Sequence, residues 1–167
     1  MGREPPAAEA ARGGETLSGW SDAAEIRKSI DIDAPPETVF RALTDERELV
    51  RWMPTEAKMD PRVGGAIRFK FHWESRNVDT EVTGQVVELV PGKKLSYTWI
   101  AAMRSDRDPA RTDDAPAALV TWSLEELPGR RTRLTLVQKG FDERYRQDGE
   151  SGWEHFLAQL RKHAARN

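Results

Sequence analysis

Apolar and polar residues change rhythm several times along this chain, and each change predicts an element. Ile26, Ile30 and Ile32 fall on one side of an extended segment and Arg27, Ser29, Asp31 and Asp33 on the other, the alternation of a half-buried strand. Ala34-Pro35-Pro36-Glu37 interrupts it. Val39, Phe40 and Leu43 then recur at helical spacing, which predicts a short helix from about Pro36 to Thr44 with proline in its first turn. Asp45 is placed to cap a second short helix holding Leu49, Val50 and Trp52 and stopped by Pro54.

Beyond the Gly64-Gly65 turn, Ile67, Phe69, Phe71 and Trp73 alternate with Arg68, Lys70 and His72, the cleanest strand pattern in the chain. Thr80 to Leu89 follows with Val82, Val86 and Leu89 apolar, and Gly84 breaks the alternation where a bulge or bend would curve the sheet. Pro91-Gly92 turns the chain into Leu95, Tyr97 and Trp99. Arg104 to Pro116 is polar throughout and reads as an exposed loop. Val120, Trp122 and Leu124 alternate next, Pro128-Gly129 turns, and Leu134 and Leu136 mark a last strand before Gly140.

The chain then changes period. Trp153, Phe156, Leu157, Leu160 and Ala164 recur at the spacing of a helix apolar on one side, while Glu154, Ala158, Arg161 and Lys162 fall on the other. Ser151 and Glu154 have the form of a capping box, which predicts a helix from Ser151 to Ala165, and Arg161, Lys162, His163 and Arg166 suit its negative end. So short a helix is marginal alone in water, so its apolar face needs a broad partner. The strands supply one. The order predicts an α+β chain: a strand, two short helices, an antiparallel meander, and a curved sheet wrapped around the C-terminal helix.

Residues 1–23 are rich in Ala, Gly, Pro and Glu, with Leu17 and Trp20 as their large apolar groups, and read as a flexible tail ahead of one domain over residues 24–167. With 26 basic against 28 acidic residues, no chain-wide field draws the protein to nucleic acid or an anionic membrane. The absence of cysteine removes disulfides and thiolate sites. No segment resembles a signal peptide or a membrane span, so the chain reads as soluble and cytoplasmic. The six tryptophans are the one excess, and large rings in that number either fill a core or line a pocket.

A set of segments resembles the activator-of-Hsp90-ATPase-like domains of the START and Bet v 1 superfamily. They are Ala34-Pro35-Pro36-Glu37 with Val39-Phe40, Arg51-Trp52-Met53-Pro54, Gly64-Gly65 before Ile67-Arg68-Phe69, and Gly84 with Pro91 ahead of Leu95 to Trp99. Thr132 to Leu136 leading to Gly140-Phe141, and Gly152-Trp153, complete the match, which runs from about Ile26 to Leu160. The resemblance implies the helix-grip fold, a cavity between sheet and long helix, and relatives that hold lipids, steroids or polyketides there or act as cyclases and aromatases. Members that stimulate Hsp90 carry a further N-terminal domain, where this chain offers Gly19-Trp20-Ser21. Many members also have a histidine where this chain has Gln138-Lys139.

Candidate chemistry follows from the side chains expected to face inward. Phe69, Phe71, Trp73, Tyr97, Trp99, Val120 and Trp122 of the sheet should face Trp153, Phe156, Leu157 and Leu160 of the helix, with Trp52 beside the two short helices that, as the resemblance implies, close one end of the cavity. These twelve are the candidate lining for an apolar or aromatic small molecule, and Trp52, Trp99, Trp122 and Trp153 lead them because the resemblance implies a cavity between their segments. Tyr97 is the polar-tipped ring among them, and its hydroxyl needs a partner or a ligand atom. His72 and His155 fall on polar faces, and His163 sits at the helix end, where it suits the dipole. No zinc-binding, phosphate-binding or nucleophile-elbow motif occurs, so no metal or cofactor is expected. The reading is a small-molecule binding domain. A cyclase-like enzyme using the same cavity, and a protein-interaction module acting on a chaperone or as a homodimer, are the alternatives.

Overall fold

The computed structural model of the protein describes residues 24–73, 78–105, 108–114, 117–141, 143 and 146–165; the expected tail at 1–23 lies outside these residues. The elements run β1 (Glu25–Ile32), α1 (Pro36–Thr44), α2 (Glu46–Leu49), β2 (Glu56–Met59), β3 (Ala66–Trp73), β4 (Val78–Val90), β5 (Lys94–Ser105), β6 (Asp108–Asp114), β7 (Ala118–Leu127), β8 (Arg131–Lys139) and α3 (Arg146–Ala165). Strand order is β1-β8-β7-β5-β4-β3-β2, every pair is antiparallel, and β6 pairs with β5. This is the α+β helix-grip fold the pattern predicts, a curved sheet closed around α3.

Alternation places the core. Ile26 and Ile32 of β1, Ile67, Phe69 and Phe71 of β3, Val82 and Val86 of β4, Leu95 and Tyr97 of β5, Val120 and Trp122 of β7, and Leu134 and Leu136 of β8 are all buried. Trp153, Leu157, Leu160 and Ala164 of α3 are buried against them. Each such large side chain contributes about 1.5–3 kcal/mol through the apolar area it removes from water. The grip is broad: Trp153 reaches β8 and β7, Phe156 reaches β3, and Lys28 of β1 pairs with Glu154 of α3 at 2.7 Å.

The two short helices close one end. Pro36 opens α1 in its first turn, and the Asp45 carboxylate accepts the Arg47 amide to cap α2. Trp52 is buried just beyond, its indole donating to the Ala42 carbonyl at 2.9 Å. The Thr132 hydroxyl fixes the β1–α1 link by donating to the Ala34 carbonyl at 2.8 Å.

Four expectations change. The last helix begins at Arg146, not Ser151, so Ser151 lies inside it, exposed, and caps nothing. Arg146 anchors the true start by donating to the Glu143 carboxylate at 2.8 and 2.9 Å and to the Glu25 carbonyl at 3.1 Å. The stretch from Arg104 to Pro116 is no loop throughout: β5 runs on to Ser105 and β6 covers 108–114. Backbone ladders need no apolar side chain, and alternation reports only the burial of a face. The four-residue strand β2, too short to show a period, was not expected; it is tied to α2 by the Met59 amide donating to Glu46 at 2.9 Å. Finally, the β4 irregularity falls between Val86 and Glu88, beyond Gly84. Gly84 serves another end: a Cβ there would lie 1.8 Å from the Thr98 carbonyl oxygen, so only glycine permits that approach of β4 to β5.

Candidate functional site

The inner face of the sheet carries one cross-strand row that matters most. Tyr97 on β5 pairs with Val120 on β7, which pairs with Gln138 on β8. Side chains that share a row on one face stand side by side, and all three are buried, Val120 and Tyr97 nearly completely. The neighbouring row adds Trp122, whose indole N–H donates to the Tyr97 hydroxyl at 2.9 Å. From α3, the Trp153 indole N–H donates to Gln138 Oε1 at 2.6 Å. The two indoles then meet edge to face, centroids 5.6 Å apart.

Around this polar pair the rings form a continuous layer. Trp52 meets Trp122 edge-on at 6.0 Å, and Trp153 meets Trp99 at 5.3 Å and Phe156 at 6.4 Å. Phe71 touches both Trp99 and Phe156, at 6.2 and 5.7 Å, and Phe69 packs on Tyr97 and Trp99 at 6.1 Å. These are the offset and edge-on geometries that ring quadrupoles favour. Trp99 and Phe156 are only partly buried, and they lie at the end of the layer remote from Trp52.

The structure thus brings together Trp52, Phe69, Phe71, Tyr97, Trp99, Val120, Trp122, Trp153 and Phe156, with Leu157 and Leu160 buried on the same helix face. Trp73 ends β3 in register with Val78, and its side chain lies outside the described residues. The rings pack on one another. Among the described residues two shallow grooves lie elsewhere. One of about 570 Å³ runs between Phe40 of α1 and the Pro91-Gly92 turn, and one of about 520 Å³ crosses the charged outer face at Arg68, Lys70 and His72.

The electrostatics are those of a neutral interior. Burial pushes the Tyr97 hydroxyl well above its ordinary value, with the Trp122 hydrogen bond acting weakly the other way, so Tyr97 is protonated at any physiological pH. The buried polar side chains among the described residues are Thr38, Ser96, Thr98, Thr132 and Gln138, besides Tyr97, and none carries a charge. His72 lies exposed beside Asp79 at 2.6 Å, and His155 is exposed. Among the described residues no group of three or more His, Asp or Glu side chains is arranged to hold a metal ion, and no helix is long and apolar enough to cross a membrane.

Pattern reading missed two contacts that tie α3 to the rest of the chain. Gln138 shares parity with Leu134 and Leu136, which places it inward, but as a polar residue with no motif it was given no role. His163 meets more than a helix dipole: its Nε2 lies 2.5 Å from Glu48 Oε1, joining the end of α3 to α2. No local spacing links residues so far apart in the chain.

A curved antiparallel sheet gripping a C-terminal helix, with two short helices over one end and an aromatic interior, defines a domain of the START and Bet v 1 type. Within that class the chain belongs to the family described as activator of Hsp90 ATPase homolog 1-like protein, whose sequence pattern matches residues 33–165. Among solved structures it is similar to protein CV1439 from Chromobacterium violaceum, at 30% identity and a TM-score of 0.69, over 84% of this chain and 97% of that one. Protein MLL2253 from Mesorhizobium loti is 26% identical with a TM-score of 0.70, over 86% and 98% of the two chains. The Aha1 dimer from Colwellia psychrerythraea, at 21% identity and a TM-score of 0.63 over 83% and 93%, shares the fold. No curated protein matches the chain.

Proposed function

We propose that this domain binds a flat, mostly apolar small molecule within the aromatic layer between the sheet and α3. The observation that carries the reading is the gradient of burial along that layer. Trp52, Trp122 and Trp153 are sealed at one end, whereas Trp99 and Phe156 at the other reach the surface. Because the rings already touch, a ligand enters by parting Trp99 and Phe156 and takes over their contacts with Trp153 and Phe71. Each ring pair opened costs about 0.5–1.5 kcal/mol beyond area burial, and stacking on a planar ligand offsets it. A binding role also accords with the neutrality of the interior, which offers shape and apolar area without a charged acid or base.

The test is native mass spectrometry of protein purified from its own host, together with displacement of a hydrophobic fluorescent probe. A retained small molecule, and probe affinity that changes in Trp122→Ala and Leu157→Ala, are the expected results. Protein that carries nothing, with a probe signal unaltered by both substitutions, rejects the reading.

A further inference from the structure

Two buried hydrogen-bond donors in the aromatic layer have no acceptor among the described residues. The Tyr97 hydroxyl accepts from Trp122, which occupies a lone pair and leaves its own proton to be placed. The Gln138 side chain is oriented by its partner: an indole only donates, so the oxygen must face Trp153 and both amide protons must point away. Gln138 is 9% exposed and Tyr97 1%, so neither donor is left to bulk water. A buried donor without an acceptor costs about 1–3 kcal/mol, and buried polar groups are almost always matched. Here the two stand in one cross-strand row with β7 between them, their backbones about 9–10 Å from each other.

We infer that Tyr97 and Gln138 are the specificity-determining donors of the proposed ligand site, and that the ligand is a neutral planar ring system bearing carbonyl-type acceptor oxygens. The inference rests on the binding reading above and names the chemistry of its occupant. Neutrality follows from the surroundings: among the described residues no charged side chain is buried, so a carboxylate or phosphate would enter without a counter-charge, at high desolvation cost. Planarity follows from the ring layer. A pure hydrocarbon would leave both donors unmatched, and a site built to hydrogen-bond a ligand discriminates strongly against the analogue that lacks the polar atom.

The experiment compares 1,4-naphthoquinone with naphthalene by calorimetry, while 15N-labelled protein reports the Gln138 amide protons. The chain has no cysteine to add to the quinone. Preference for the quinone is expected, with the Gln138 Nε2 resonances shifting on its addition and not on that of naphthalene. In Tyr97→Phe and Gln138→Met the preference, taken as the ratio of the two affinities, should fall about three- to tenfold for each donor lost. A merely loosened core would weaken both probes alike and leave the ratio unchanged, and that result overturns the assignment. Equal binding of the two probes to the unaltered protein, or quinone binding without a Gln138 shift, overturns it while leaving the binding reading intact. Failure of both probes to bind rejects the two together. Should either variant fail to fold, the Gln138 resonances of the unaltered protein still decide the question.

Discussion

The Trp153 indole donates to Gln138 Oε1 over 2.6 Å, joining α3 to β8 inside the grip of the sheet. A helix seated by apolar area alone could slide or turn by a fraction of a residue with little change in energy. One directed, buried bond removes that freedom. Replacing Gln138 with Leu keeps the burial and strands the indole donor. The stranded indole costs about 1–3 kcal/mol, and because the same change also removes the unmatched amide protons the net loss should fall at the low end of that range, measured as a shift of the urea midpoint at constant m. A variant as stable as the parent would show that the bond does not hold the helix.

Tyr97 gives the protein an alkaline limit. Its folded-state value is raised above the ordinary 10.0 by burial, so above pH 10 the unfolded chain releases a proton that the folded chain keeps. Stability is therefore unaffected by this group below pH 10 and falls as pH rises beyond it, by about 1.4 kcal/mol per pH unit. Denaturant titrations from pH 9 to 11 should show a total loss of about 1.4 kcal/mol from this group in the parent, since the unfolded phenol is only part ionised across that range, and no such loss in Tyr97→Phe.

The two glycines in the first half of α3 should answer substitution in opposite ways. A Cβ at Gly152 meets nothing within 4 Å, so Gly152→Ala should stabilise by about 0.5–1 kcal/mol, the usual gain inside a helix. At Gly149 the same atom would lie 3.1 Å from Ile26 Cδ1, where α3 crosses β1. Gly149→Ala should gain less or destabilise, as thermal melting of the pair will show.

His163 and Glu48, 2.5 Å apart and both largely shielded, couple the last turn of α3 to α2. A double-mutant cycle with His163→Ala and Glu48→Ala should return a coupling of about 1 kcal/mol at neutral pH, near the upper end for such pairs. A coupling near zero would reduce the contact to a surface coincidence.

Much of this was legible in the residues. The helix Pro36–Thr44 lies where its proline and apolar spacing put it, and the strands carrying Ile67, Tyr97, Trp122 and Leu136 fall where alternation reports a buried face. The start of α3 was hidden because its first two turns, Arg146 to Gly152, hold no large apolar residue and two glycines. What begins that helix is Arg146 reaching the Glu25 carbonyl, a contact with the far end of the chain. Strand β6 was hidden because polar residues pair their backbones as well as any others.

Periodicity and turn chemistry settle which elements form and which side each one hides, because both act over a few neighbouring residues. Partnership is decided elsewhere. That Trp122 would find Tyr97 across 25 positions, that Gln138 would hold Trp153, and that two donor groups would share one buried row are products of strand order and helix placement. A polar side chain inside a protein takes its meaning from the atom it meets, and only the assembled chain brings those atoms together.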